Sequence, residues 1–287
     1  MTEPTMDFKD SIIQKCPIGC SSRLVTTDIL LPEGPLRRCP ECGQLVSACT
    51  PDRYTQTMQS FDVETGTMPD EKSANRHRQR IGKILSRAIN TLAKPASSIQ
   101  FLDVGCSSGS VLLVARELGI ANVMGVEPAV KAAETARSLG FDVTTGTLDE
   151  ASYPSESFDL ITLFEVIEHL DSPLELARET FRTLRPGGIW LIGTGNARSW
   201  TASLLRENWE YFSISHNGGH ISFFNPSSIQ LLAQRSGFEL AYLTTKRVVL
   251  TPGQKPGYIK LAEEVLALPA RILGKGHDML VALRKPH

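Results

Sequence analysis

Between Ile99 and Gly195, short runs of residues that are apolar throughout alternate with longer stretches whose apolar residues recur at helical spacing. IQFLDVG, NVMGVEP, FDVTTG, SFDLITLFEV and IWLIGTG read as strands, and SVLLVARELG, AVKAAETARSLG and SPLELARETFRTL read as the helices between them. A strand without a polar face must be covered on both sides, and a helix after each strand supplies the cover. The pattern therefore predicts an α/β fold, a doubly wound and mostly parallel sheet. Beyond Gly195 it predicts a helix at 199–206, an aromatic loop carrying Trp209, Tyr211 and Phe212, a helix opening at Asn225-Pro226, a strand at about 238–245 and a closing strand MLVALRK.

Composition adds exclusions. Lys plus Arg number 30 against 31 Asp plus Glu, so no global basic field draws the 287-residue chain to nucleic acid. No run approaches the roughly 18 apolar residues that span a bilayer, and MTEPTMDFKD lacks the basic-then-apolar order of a signal peptide. A cytoplasmic, unprocessed chain is expected. Four of the six cysteines fall within 27 residues, as Cys16-Pro-Ile-Gly-Cys20 and Cys39-Pro-Glu-Cys42, while Cys49 and Cys106 stand apart. In a reducing compartment such clustering points to metal or catalysis rather than to disulfides.

The domain reading is a zinc-ribbon-like module over 1–50, a connector and capping helix over 51–98, a nucleotide-cofactor domain over 99–245, and an amphipathic helix with a closing strand over 246–287. Residues 50–70 are polar and turn-rich, as a connector would be, and 71–94 carries Ile81, Ile84, Leu85, Ala88, Ile89 and Leu92 at helical spacing. Two cysteine pairs 18 residues apart suit structural zinc, whose tetrahedral thiolate site replaces the core that so short a segment lacks. The first knuckle is irregular, with Gly19 before rather than after its second cysteine. Cys49 is expected to be a free buried thiol. Residues 1–70 hold six basic and ten acidic residues, a balance unsuited to phosphate, so the ribbon is expected to act as a lid or docking element and nucleic acid is not an expected partner.

Phe101-Leu-Asp-Val-Gly-Cys-Ser-Ser-Gly109 runs strand, small-residue turn, helix start. Gly105 and Gly109 let a ligand approach the backbone, and the helix offers unpaired N–H groups. Glu127, 24 residues after Asp103, ends the next strand, where a carboxylate accepts both ribose hydroxyls. At the end of the fourth strand stand Glu165, Glu168 and His169. In a helical turn their side chains converge, either around a hard divalent ion or in hydrogen bonds that shape a pocket.

On LDVGCSSG, GVEP, Gly146-Thr147-Leu148, SFDLITLFEVIEHL and LRPGG the chain resembles the class I S-adenosylmethionine-dependent methyltransferases over about 100–195. The resemblance implies a Rossmann-like, seven-stranded sheet and S-adenosylmethionine as methyl donor. Asp103, Gly105, Ser107 and Gly109 would hold its methionine end, Glu127 the ribose, Thr147 and Leu148 the adenine, with Phe164 lining the site. Ser107 stands where the family motif usually has glycine. A dehydrogenase shares the first βαβ unit, but Phe158-Asp159 and Arg185-Pro-Gly-Gly188 fit methyltransferases.

His220 is similar to the histidine before the late helix in ubiquinone-pathway catechol O-methyltransferases and small-RNA 2′-O-methyltransferases, both of which carry E-x-x-E-H. By that resemblance Glu165, Glu168, His169 and His220 are the candidate catalytic residues and a candidate magnesium site. Without metal, His169 or His220 serves as general base. His216 is read as a solvated loop residue. Asp159 and Phe164 are expected in the site, with Trp209, Tyr211 and Phe224 as acceptor walls or plain core. The expected reaction is O-methylation of a small-molecule or glycan-like acceptor. RNA 2′-O-methylation and a non-catalytic cofactor-binding adaptor are the rivals. The basic amphipathic helix near 258–268 is expected to pack on the protein's own surface, with membrane-surface contact as the alternative and Pro269 as its end or kink.

Overall fold

The computed structural model describes residues 8–64, 71–214 and 219–287. His216 lies outside them. The N-terminal segment forms strands β1 (Val25–Leu31), β2 (Gly34–Arg38) and β3 (Leu45–Val46). Helices α1 (Pro51–Glu64) and α2 (Glu71–Leu92) follow, so the turn-rich text after Thr50 is helical where a connector was expected. Pro51 opens α1 with its φ already set for a helix and Asp52 complements the exposed N–H groups of the first turn, a start signal that outweighed the polar composition.

Then come β4 (Gln100–Val104), α3 (Ser110–Glu117), β5 (Asn122–Glu127), α4 (Val130–Ser138), β6 (Asp142–Thr145), β7 (Phe158–Phe164), α5 (Pro173–Thr183) and β8 (Leu184–Gly195). The chain continues through α6 (Trp200–Leu205), two single 3-10 turns, β9 (Ser222–Phe223), α7 (Pro226–Arg235), β10 (Glu239–Lys246), α8 (Gly257–Ile272) and β11 (Asp278–Arg284). The large sheet has seven strands in the order β10-β11-β8-β7-β4-β5-β6. All neighbouring pairs from β8 to β6 are parallel, and β11 runs antiparallel between β10 and β8. The doubly wound α/β expectation holds, including the closing strand.

Strand order reverses at β4, whose neighbours are β5 on one side and β7 on the other. Connections there diverge to opposite faces of the sheet and leave a crevice at the carboxyl ends of β4 and β7. One apolar layer packs Leu85 and Ala88 of α2 with Leu112 of α3 and Ala133 of α4 beneath the sheet. The other combines Ala177 of α5 and Leu232 of α7 with the inner face of β7 and β8.

The ribbon does not close on itself. Its four-stranded sheet runs β1-β2-β3-β9, and β9 comes from beyond residue 220: Leu45 pairs with Phe223 and Val46 with Ser222. Leu31, Leu36 and Leu45 pack on Trp209, Phe212 and Phe223. Trp209 and Phe224 are fully buried and so belong to the core rather than to an acceptor wall.

α8 does not end at Pro269 but runs on to Ile272; the carbonyl that the missing N–H would have bonded belongs to Val265, a residue 65% exposed. Its apolar stripe also faces outward rather than onto the protein.

Candidate active site and cysteine centre

The loop after β4 is built by backbone conformation. Gly105 has φ +74°, and a Cβ there would lie 2.4 Å from Cγ2 of Val166, so only glycine lets the loop lie against the segment that follows β7. Ser107 takes the left-handed conformation (φ +46°) that the usual glycine of this position accommodates freely. Its N–H donates to Oε2 of Glu127 at 2.8 Å, while Oε1 of Glu127 accepts from the Ala129 N–H at 2.9 Å. The carboxylate at the tip of β5 is thereby aimed at the loop. Gly109 caps α3, whose first N–H groups face the same crevice.

Asp103 sits behind this loop. It is buried and accepts the Thr162 hydroxyl at 2.5 Å, and burial pushes its carboxyl up to about 7. It supports the loop from beneath. Thr147 is exposed next to Gly146, whose N–H donates to the Glu127 carbonyl at 3.1 Å, and Leu148 is buried against the sheet. Phe164 lies half-buried at the end of β7 over Gly193. Asp159 is elsewhere. It is the second residue of β7, roughly 16 Å of extended chain from Phe164, and binds Lys94 at 2.6 Å, the Gln100 N–H at 2.9 Å and Arg185 at 2.9 Å. The expectation that Asp159 lines the site is corrected: burial alone would raise its carboxyl, but these partners hold it below the usual range.

Beyond Phe164 the chain turns sharply. Glu165 has φ +56°, and a 3-10 turn spans Ile167–His169. This brings Glu165, Glu168 and His169 to the carboxyl edge of β7, where Tyr211, Thr194 and His220 meet them. The Tyr211 hydroxyl contacts Oε2 of Glu165 at 3.0 Å and forms a short hydrogen bond with Oε1 of Glu168. It accepts the Gly195 N–H at 2.8 Å and lies 3.1 Å from the Thr194 hydroxyl, which donates to Oε2 of Glu168 at 3.0 Å. A phenol has one proton to give, so close contact with two carboxyl groups calls for a proton on one of them. Their environment agrees. Burial, then the Glu168 charge, pushes Glu165 up to about 8, although its side chain reaches solvent on the open side of the cleft. Burial raises Glu168, and burial together with both glutamates raises Tyr211, which stays neutral.

His220 is 5% exposed, with Nδ1 2.9 Å from the Tyr211 carbonyl and Nε2 3.8 Å from Glu168. The carbonyl assigns the proton to Nδ1 and leaves Nε2 as acceptor. Burial lowers its pKa to about 4, so the ring is neutral at pH 7. The His169 ring lies 4.7 Å from that of His220, edge to face, and its carbonyl accepts the Tyr54 hydroxyl of α1 at 2.8 Å.

Among the described residues, donor atoms of Glu168, His169 and His220 lie within 4.8 Å of one another. Glu165 is linked to them through Tyr211. Two imidazoles and a carboxylate already accepting two hydroxyls form a nitrogen-rich, oxygen-poor set, which does not fit the oxygen shell of magnesium. Tyr211 was legible only as an acceptor wall or a plain core aromatic, not as a partner of the two glutamates, and Thr194, inside an apolar strand run, gave no signal at all.

Cys16, Cys20, Cys39 and Cys42 are buried, and their sulfurs lie within 4.8 Å of one another. Sγ of Cys16 and Cys42 are 3.6 Å apart, near the roughly 3.8 Å that tetrahedral Zn–S bonds of about 2.3 Å require. Gly19 (φ +83°) and Gly43 (φ +73°) make the two knuckle turns. The irregular first knuckle therefore still delivers its thiols, the glycine having moved one place while keeping its conformation. The donor set fits zinc. Cys49 stays outside it, its thiol donating to the Thr50 carbonyl at 3.3 Å.

The fold and the loop define a class of nucleotide-cofactor enzymes, and comparison with known proteins specifies it. A family model described as a methyltransferase domain matches residues 74–243. A ubiquinone biosynthesis O-methyltransferase of Thiobacillus denitrificans is 27% identical over 186 residues, 61% of this chain and 79% of that protein. A probable S-adenosylmethionine-dependent methyltransferase of Mycolicibacterium smegmatis is 29% identical over 150 residues, 52% of this chain and 55% of that protein, so the chain spans about half of that relative's length. An Archaeoglobus fulgidus structure described as a SAM dependent methyltransferase superposes with a TM-score of 0.54 at 19% identity, covering 72% of this chain and 94% of that one, which is a likeness of fold. The chain belongs to the methyltransferase-domain family and is an S-adenosylmethionine-dependent methyltransferase.

Proposed function

We propose that the chain O-methylates a small-molecule acceptor in the crevice between the Gly105–Gly109 loop and the Glu165–His169 turn. The observation that carries this is the convergence of Glu165, Glu168, His169, Tyr211 and His220 beside the loop, with Val166 packed on Gly105. A relative named for O-methylation in ubiquinone biosynthesis supports a hydroxyl on a small molecule. When bound, S-adenosylmethionine supplies an electrophilic methyl on a positive sulfur. The loop backbone at Gly105, Ser107 and Gly109 would hold its methionine end, with Asp103 bracing the loop through Thr162. Glu127 would accept the ribose hydroxyls, Thr147 and Leu148 would border the adenine, and Phe164 would close the floor.

The acceptor hydroxyl must be aligned with the methyl and must lose its proton as the O–C bond forms. His169, the more open of the two histidines, takes that proton. His220, neutral and fixed by the Tyr211 carbonyl, holds the His169 ring, and Glu168 with Glu165 orients the hydroxyl through the Tyr211 network. None of these steps requires a metal ion, and the bonds from Tyr211 and Thr194 to Glu168 support that reading. Cys16, Cys20, Cys39 and Cys42 would hold a structural zinc ion.

Calorimetric titration with S-adenosylmethionine, followed by an assay of S-adenosylhomocysteine over a panel of phenolic and glycan-like acceptors, tests the proposal. The expected outcome is cofactor binding, turnover of a hydroxyl-bearing acceptor, and a fall in kcat of roughly 10²–10⁴ in His169→Asn with the cofactor Kd unchanged. Full activity in His169→Asn would remove the assigned base, and turnover only of amine acceptors would overturn O-methylation.

A further inference from the structure

Amphipathic helices ordinarily bury their apolar face, and α8 does the reverse. Tyr258, Leu261, Val265, Leu268 and Ile272 recur at helical spacing along one side and are each more than 60% exposed. The opposite side is fixed inward: Ala270 is buried, and the Glu263 carboxylate accepts the Leu250 N–H at 2.8 Å and pairs with Lys255 at 2.7 Å. The outward stripe is thus held out by the contacts of the inner face. From Tyr258 to Ile272 it runs about 21 Å.

Cations adjoin the stripe. Leu268 and Ile272 share a groove of about 390 Å³ with Arg87, Tyr242, Thr244 and Arg271. Arg80, Arg87 and Arg271 lie close enough to act on the charge of Lys246 at the end of β10, where Asp278, its partner across the strand pair, acts in the opposite sense and is itself paired with Arg247. Among the described residues none of the four cations Arg80, Arg87, Lys246 and Arg271 forms an ion pair, and Arg87 rests its guanidinium on the Tyr242 ring at 3.8 Å. An apolar crown continuous with unpaired cations matches an interfacial helix, whose apolar side chains enter the acyl boundary while basic ones meet lipid phosphates. A second copy of the chain matches poorly: a two-fold contact sets each patch against itself and would oppose four cations with four.

We propose that α8, with Arg80, Arg87, Lys246 and Arg271, docks the protein on an anionic lipid bilayer. The docking face borders the reaction edge of the sheet. The last turn of α8 leads into Gly274 and Gly276, whose carbonyls accept Nδ2 of Asn196 at 3.0 and 2.8 Å, and Asn196 directly follows β8. Among the described residues no helix is long and apolar enough to cross a membrane, so the contact is with the surface.

Co-flotation of the full chain with vesicles of phosphatidylcholine alone, or with roughly a third phosphatidylglycerol, tests this without cofactor or acceptor, independently of the catalytic proposal. Binding to the anionic vesicles at least about tenfold stronger than to the neutral ones, weakened by raised salt, is expected. Leu261→Glu with Val265→Glu should lose about tenfold or more, and Arg87→Gln with Arg271→Gln several-fold. Circular dichroism and cofactor titration monitor folding of the variants, and the comparison of the two vesicle types with unaltered protein stands without them. Absence of vesicle binding, equal binding to both vesicle types, or a dimer in light scattering that Leu261→Glu with Val265→Glu dissolves would overturn the proposal.

Discussion

Asp103 shows how one residue can be conspicuous in the sequence while its role waits on the surroundings. Its place before the glycine loop marks it as a cofactor residue, yet its carboxyl is buried under that loop with Thr162 as partner. Its folded pKa is raised to about 7, above the roughly 3.9 of an exposed aspartate. The folded state therefore binds the proton more tightly. This contribution to stability is complete below pH ~4 and is lost as pH rises towards 7, by up to about 4 kcal/mol for this single group. Asp103→Asn keeps an acceptor for Thr162 and removes the titration. Melting midpoints measured from pH 4 to 8 should decline more shallowly in Asp103→Asn than in the unaltered protein, and parallel profiles would refute the assignment. Ser107 and Glu165, both left-handed, were readable as unusual only at Ser107, where a glycine was expected. At Glu165 the strain comes from the exit of β7 and leaves no mark in residue type.

At the scale of elements, segments with strong local signals formed where expected, and those decided by context did not. Asn225-Pro226 announced α7, and the structure gives it a full capping box: Asn225 accepts the Ser227 and Ser228 N–H groups and Ser228 returns the bond. The same Asn225 donates Nδ2 to the Cys42 carbonyl at 3.3 Å, so one side chain starts a helix and holds a cysteine knuckle. Asn225→Ala should cost about 1–2 kcal/mol in urea unfolding, the usual range for a lost cap. Asn225→Asp, which keeps the acceptor but not the amide, should recover most of that loss, and equal losses in both would show that the link to Cys42 carries the effect instead. α1 was missed because its composition is polar, and what ties it to the rest of the molecule is tertiary: the Tyr54 hydroxyl on the His169 carbonyl and the Arg53 pair with Glu33 at 3.7 Å. β3 and β9, two residues each, are too short for any periodicity and exist only as partners.

At the scale of the whole molecule, the cysteine module and the proposed catalytic edge are one construction. Ile221 lies between them: its N–H donates to the Glu168 carbonyl at 3.0 Å, and its carbonyl accepts the Ser47 N–H at 2.9 Å. His220 precedes it and β9 follows it, so the ribbon strand and the histidine share one short segment. Replacing Cys39 and Cys42 by serine should abolish zinc content of about one ion per chain, lower the melting midpoint by several degrees, and shift Trp209 emission as the interface with Leu31, Leu36 and Leu45 loosens. An unchanged midpoint and spectrum would show that the cluster is not a structural metal site.

The alternation of apolar strands and amphipathic helices determined the doubly wound sheet by itself, because burial on both faces is a local property of each strand. The glycine loop, Glu127 and the Glu165–His169 run were equally local, since strand ends place them on one edge whatever else happens. Only the tertiary structure decided which groups meet there. It brought Tyr211, Thr194 and His220 onto the two glutamates from strands and loops far along the chain, removed Asp159 to the other end of β7, completed the ribbon with β9, and turned the apolar stripe of α8 outward. Each of these depends on contacts between residues distant in sequence, and the free energy of such contacts is written in no single segment.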